Sequence, residues 1–245
     1  MPEITYRNTF LSDLRRCPRY AFHKYIDGIE LKEISVPMTM GTAFHRGLEE
    51  YNLSPERRDK EFLEHCVMAG LKELKILGES EEIPTAFKLV SFHLEHYFDH
   101  WKDVNTFTDH HIELEGFAAL PSGRQFYFRV DDCPLDNGDR TIVDHKLCSW
   151  QYASRLEKGI ELASQLVGYA WGVQEVHGLK PIYGMYNLSV KVKDPKKICR
   201  RPIREIREEH INQWLDNTEK LLDMWERMCE DEAWPQNTDS CFIYG

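Results

Sequence analysis

The stretch that decides the fold runs from Phe126-Tyr127-Phe128-Arg129-Val130-Asp131, through Asp136-Asn137-Gly138-Asp139, to Thr141-Ile142-Val143-Asp144-His145-Lys146. Two runs rich in aromatic and β-branched residues flank an Asn-Gly pair, which is the strongest short signal for a two-residue hairpin turn. With Asn137-Gly138 as the turn, the numbers of facing residues have a constant sum, and Asp131 stands opposite Asp144. Side chains two apart share a face, so Lys146 joins them. Directly opposed like charges destabilise a sheet and are tolerated best with a cation between them. By the same logic, removing one carboxylate should leave the stability of the metal-free protein level or raise it. Two hard oxygen ligands beside an ammonium suit the binding of Mg²⁺ or Mn²⁺ and the activation of a water against a phosphodiester. The competing reading is an exposed hairpin with solvated acids. Pro134 weakens the register because it cannot donate to a ladder, and a one-residue slip would put Asp132 in place of Asp131.

Working outward, the hydrophobic period changes near residue 108 from about 3.6 to 2. Before it, the pattern predicts helices over residues 8–17, 18–25, a segment after Pro37 carrying Gly41 to Tyr51, 56–77 and 84–103. After it, His111 to Ala119 alternates, Pro121-Ser122-Gly123 turns the chain, and the hairpin completes a three-stranded meander. Leu156 to Val176 reads as one amphipathic helix closed by Gly178. Pro181 to Val192 is an apolar strand, Pro202 to Arg207 a candidate edge strand, and Glu208 to Glu230 a final helix. Three strands, a crossover helix and a fourth strand give a mixed α/β sheet. One domain is expected: a helical flank over 1–105, a core over 106–207, and a C-terminal helix and tail over 208–245.

The 245 residues suffice for a sizeable core. With 42% hydrophobic and 29% charged residues the composition is that of a globular protein, and no apolar run is long enough to span a membrane. The beginning Met1-Pro2-Glu3-Ile4 lacks a secretory pattern, so a cytoplasmic or intracellular location is expected. Seven cysteines, without framework spacing or a Cys-x-x-Cys pair, fit reduced thiols. A net charge of −10 argues against coating nucleic acid by bulk positive charge, though not against a nuclease with a locally basic groove. The densest basic stretch, Lys191 to Arg201, is a solvated loop or a guide for a DNA strand.

The order of motifs resembles the PD-(D/E)XK nucleases, and within them the RecB/AddB-like branch with its CRISPR-associated and phage nucleases. The resemblance is carried by Leu11-Ser12-Asp13-Leu14-Arg15-Arg16-Cys17-Pro18, Gly41 to His45, Val130-Asp131, Val143-Asp144-His145-Lys146, Gln165 to Tyr169 and Asn237 to Cys241. It implies a restriction-endonuclease-like αβββαβ core with a helical N-terminal flank and a C-terminal helix. It further implies a Mg²⁺- or Mn²⁺-dependent DNA nuclease, an exonuclease acting on ends or single strands in phage, recombination or repair-type processing. DNA is the implied partner, with recombination or CRISPR-type protein partners alongside. His45, Asp131, Asp144 and the backbone carbonyl of His145 would hold the metal. Lys146 would position and deprotonate the water or stabilise charge on phosphorus. Gln165 and Tyr169, four apart on one helical face, would orient Lys146 or contact the DNA backbone. The chain departs from the family in having Val130 before the first acid and aspartate, not glutamate, before Lys146.

Other readings stand beside these. His45 could be structural, Tyr169 could pack in the core, and the chain could be a catalytically silent DNA-binding module of the same fold or a hydrolase of small phosphorylated molecules. His93, His96 and His100 share a helical face that could bind zinc, but without a fourth ligand a solvated face is the simpler reading. Cys17 and Cys241 occupy positions resembling iron–sulfur ligands of the RecB/AddB-like branch, where three cysteines lie close together at the C-terminus. Here two of those are absent. The two cysteines are expected to approach each other, and a four-iron cluster is expected only if further C-terminal cysteines exist.

Overall fold

The computed structural model describes residues 5–29, 35–54, 56–78 and 81–237. It begins with a short strand β1 (Tyr6–Arg7) and five helices: α1 (Asn8–Arg16), α2 (Pro18–Tyr25), α3 (Val36–Leu53), α4 (Lys60–Glu73) and α5 (Ile83–Trp101). The sheet region follows as β2 (Phe107–Thr108), β3 (Ile112–Ala119), β4 (Gln125–Asp132), β5 (Leu135–Asp136) and β6 (Asp139–Ser149). The crossover holds α6 (Trp150–Lys158) and α7 (Ser164–His177), leading to β7 (Tyr183–Lys191), β8 (Cys199–Arg200), β9 (Ile203–Glu205) and α8 (Glu208–Glu230).

The hairpin has the register set by Asn137-Gly138. Leu135 faces Arg140, Asp136 faces Asp139 and Asp132 faces Val143, all in one register. Asn137 at φ 51° and Gly138 at φ 93° give the turn two positive-φ residues, as a type I′ turn requires. Pro134 does not break it, because its carbonyl accepts the Thr141 N–H at 3.0 Å while the missing donor is not needed there. β3 pairs antiparallel with β4, and β6 pairs parallel with β7 from Thr141 to Ser149. This is the mixed αβββαβ arrangement expected of a restriction-endonuclease-like core.

Two differences from the sequence reading bear on the site. The crossover is two helices, not one over Leu156 to Val176. Gly159 terminates α6, with its N–H on the Arg155 carbonyl, and a 3-10 turn over Ile160–Leu162 separates α6 from α7. The second concerns the stretch read as a helical flank, which also supplies a strand to the sheet. β1 pairs parallel with β4 at Phe126 and Tyr127, and Phe10, Leu11 and Leu14 are fully buried among Phe126, Trp225 and the α7 side chains. β4 meets β6 only at Asp132 and meets β1 further back, so β4 and β6 splay apart between these two pairings.

Hydrophobic packing lines both faces of the sheet. One core joins α1, α7 and α8 to β4, β6 and β7; the other is built by α3, α4 and α5, with Ile198 and Cys199. α7 can lie close because a Cβ on Gly168 would sit 2.5 Å from the Trp214 ring and one on Gly172 2.4 Å from Phe128. No helix is long and apolar enough to cross a membrane among the described residues.

Candidate active site

Where β4 and β6 part, the backbone N–H of His145 has no ladder partner on the β4 side. The Asp131 carboxylate replaces it, its Oδ2 accepting that N–H at 2.7 Å. His45, on α3, places Nδ1 3.4 Å from the same oxygen. Asp144 lies on β6 one residue before His145 and is buried. Its Oδ1 accepts from Lys146 Nζ at 2.9 Å and from Gln165 Nε2 at 3.3 Å. Its Oδ2 lies 2.7 Å from the Lys146 ammonium but takes no well-directed hydrogen bond among the described residues. Gln165 also donates to the Tyr169 hydroxyl at 2.9 Å.

The structure therefore gathers His45, Asp131, Asp144, Lys146, Gln165 and Tyr169 around one splayed edge. Gln165 reaches Asp144 instead of Lys146, and Tyr169 does two things, packing its ring against the core and taking the Gln165 amide on its hydroxyl. The ring of His145 meets the His45 ring edge-on, 6.1 Å between centroids, and its Nδ1 lies 2.9 Å from Asn187 Nδ2. Asp132 is not an alternative to Asp131. It is fully buried and bound to Asn52 at 3.2 Å and His110 at 2.6 Å.

The charges are mutually dependent. Burial opposes charge on Asp131, but His45, with Lys146 behind it, outweighs burial and holds the carboxylate below its ordinary range. Asp144 is pushed upward by burial and by Asp131, with Lys146 opposing. Burial disfavours the Lys146 charge, yet Asp144 and Asp131 raise its pKa well above normal. Burial likewise works against a charge on His45, which Asp131 more than restores. The His145 ring is pushed down to about 3 by burial, against the pull of Asp131, and is neutral. Each acid is thus paired with a cation or N–H, so removing a carboxylate relieves its repulsion of the other acid and also breaks a pairing. Deleting Asp144 would strand the Lys146 ammonium.

Sequence reasoning missed the scaffold behind this edge. Asn187 on β7 donates to Tyr97 at 2.6 Å as well as meeting His145, and Arg201 donates to Tyr97 at 3.1 Å and to Asn105 at 2.8 Å. The signal was an asparagine inside a largely apolar strand, since a buried amide needs partners. Also missed was a cleft of about 550 Å³ beside Gln165, lined by Ser12, Arg15, Arg155, Ser164 and Tyr186 among others. Arg15 crosses it to Ser164 Oγ at 3.2 Å. The basic stretch is less available than its composition suggested. Arg200 binds Glu157 at 2.8 Å, Lys197 meets Asp194 at 3.3 Å, and Arg201 stacks 3.5 Å over Trp101.

The model of the PD-(D/E)XK nuclease superfamily matches residues 9–242. The chain belongs to this superfamily. A solved structure of similar fold is that of a candidate exonuclease from Eubacterium rectale, 13% identical, with a TM-score of 0.59 over 97% of this chain and 85% of that one. The protein SSO0001 is also 13% identical, but its TM-score of 0.34 over 88% of this chain and 85% of that one carries no weight. No curated protein matches the chain. PD-(D/E)XK nucleases generally use divalent metals, and the donors here fit one: the carboxylates of Asp131 and Asp144, with the undirected Asp144 Oδ2, and the His45 ring could hold a hard cation. Cys17 is buried at the start of α2, its Sγ accepting the Tyr20 N–H at 3.4 Å. Cys241 lies outside the described residues, although Asn237 reaches the Arg16 carbonyl at 3.1 Å and brings the end of the described chain beside Cys17.

Proposed function

We propose that this PD-(D/E)XK protein is a divalent-metal-dependent deoxyribonuclease of the RecB/AddB-like branch, acting as an exonuclease in phage, recombination or repair-type DNA processing, within one domain spanning the chain. The observation that carries the reading is the convergence of Asp131, Asp144 and Lys146 at the splayed edge, with His45 and Gln165 against the two acids. His45, Asp131, Asp144 and the His145 carbonyl would hold Mg²⁺ or Mn²⁺. Such an ion supplies positive charge that polarises a phosphodiester and acidifies a water.

The chain's own groups do the remaining work. Lys146, held by Asp144, presents an ammonium to the attacking water and to charge developing on phosphorus. Gln165 fixes the Asp144 carboxylate, and the Tyr169 hydroxyl keeps Gln165 in place. Arg15 and Arg155 give the adjoining cleft the cations that a phosphate backbone requires. The products are a 5′-phosphate and a 3′-hydroxyl.

End-labelled single- and double-stranded DNA and a covalently closed plasmid, each incubated with Mn²⁺, Mg²⁺ or EDTA, test this. We expect metal-dependent degradation from ends and an intact plasmid. Plasmid cleavage would overturn the exonuclease assignment, and DNA binding without cleavage in either metal would identify a silent module.

A further inference from the structure

Helix α5 carries a second grouping, formed with β8, that the nuclease reading does not use. His96 and His100 are one turn apart on that helix, with rings stacked 6.2 Å centroid to centroid. β8 brings Cys199 against them, paired opposite Ser189 of β7. One ligand atom from each of the three lies within 4.8 Å of the others. His93, the third histidine of the stripe, is not solvated as the sequence suggested; it is buried and bound to Ser189 Oγ at 2.8 Å. Cys199 takes the place it left open.

We propose that His96, His100 and Cys199 form a binding site for a zinc-class divalent ion, separate from the nuclease centre. The donor set is two imidazoles and a thiol, the soft-to-borderline combination that Zn²⁺ prefers and that Mg²⁺ avoids. A point central to three atoms so placed is no farther than about 2.8 Å from any of them. Closing to Zn–N near ~2.0 Å and Zn–S near ~2.3 Å therefore asks for movements under about 1 Å. His96 Nε2 is buried and takes no hydrogen bond among the described residues, which an apolar packing role does not explain. His100 is exposed, leaving the fourth position of a tetrahedral ion to water.

Binding releases the Cys199 proton to solvent and leaves a thiolate on the ion. The ion would fix β8 to α5 immediately before Arg201, the residue that anchors Tyr97 and Asn187 behind His145.

The test uses the full chain stripped of metal and titrated with Co²⁺ alone, with Zn²⁺ competing. We expect a thiolate-to-cobalt charge-transfer band that saturates and that Zn²⁺ abolishes, whatever further Co²⁺ the nuclease acids take up. Cys199→Ser should lose the band, and His100→Gln, at an exposed position, should bind at least tenfold more weakly. Asp144→Asn should retain the band, so failure of the nuclease reading leaves this result untouched. A wild-type protein without the band, a band persisting in Cys199→Ser, or unchanged affinity in His100→Gln would each overturn the proposal.

Discussion

Lys146 and Asp144 are two residues apart on one strand, yet they contribute in opposite senses. Replacing Lys146 with Ala removes a cation from beside the acids, so Mn²⁺ affinity measured by calorimetry should hold or rise. Cleavage should fall by roughly 10²–10⁴-fold. Loss of Mn²⁺ binding would give the lysine a structural role instead. Asp144→Ala leaves a largely buried ammonium without its carboxylate, and breaking a buried pair from one side costs roughly 3 kcal/mol. Denaturant unfolding in EDTA should show that loss, which the sequence alone pointed the other way on because it showed neither the burial of the Lys146–Asp144 pair nor the His145 N–H on Asp131. His93 gives a separate signature. Burial lowers its pKa from 6.5 to about 4, so the unfolded chain binds a proton that the folded protein refuses between those values. Its contribution is complete above about pH 6.5 and declines as pH falls towards 4, by up to about 3 kcal/mol. His93→Gln should flatten that part of the stability profile; an unchanged slope would assign it to other groups.

Among the elements, the helix α3 that carries His45 is positioned by a close crossing with α4. A Cβ on Gly70 would sit 2.4 Å from the Ala43 carbonyl oxygen, a backbone atom that cannot rotate away. Gly70→Ala should therefore separate the two helices, cost about 1–3 kcal/mol in unfolding measurements, and lower cleavage by displacing His45. Wild-type stability would contradict the crossing. The hairpin was legible because Asn137-Gly138 fixes both turn type and register, and α8 because its apolar period runs uninterrupted to Glu230. The break at Gly159 was missed because apolar residues on either side continue the helical pattern across it. β1 was missed because two residues carry no period at all.

For the molecule as a whole, the order of elements was readable because each change of period marks a layer of the fold. The splay of β4 from β6, which makes the site, is a property of three strands meeting and leaves no local trace. Nor did the net charge of −10 show where DNA would lie. If the cleft takes the strand, replacing Arg15 and Arg155 with Ser should weaken binding of single-stranded DNA. It should also reduce the slope of log affinity against log salt by about 0.7 per lost contact. An unchanged slope would move the strand elsewhere. The most direct measurement compares cleavage of end-labelled DNA by wild-type protein, Asp131→Asn and Asp144→Asn under saturating Mn²⁺, with folding checked by circular dichroism. The wild-type protein should cleave in a reaction that EDTA abolishes, and neither folded variant should cleave; wild-type rates in either variant would show that Asp131 and Asp144 do not hold the metal.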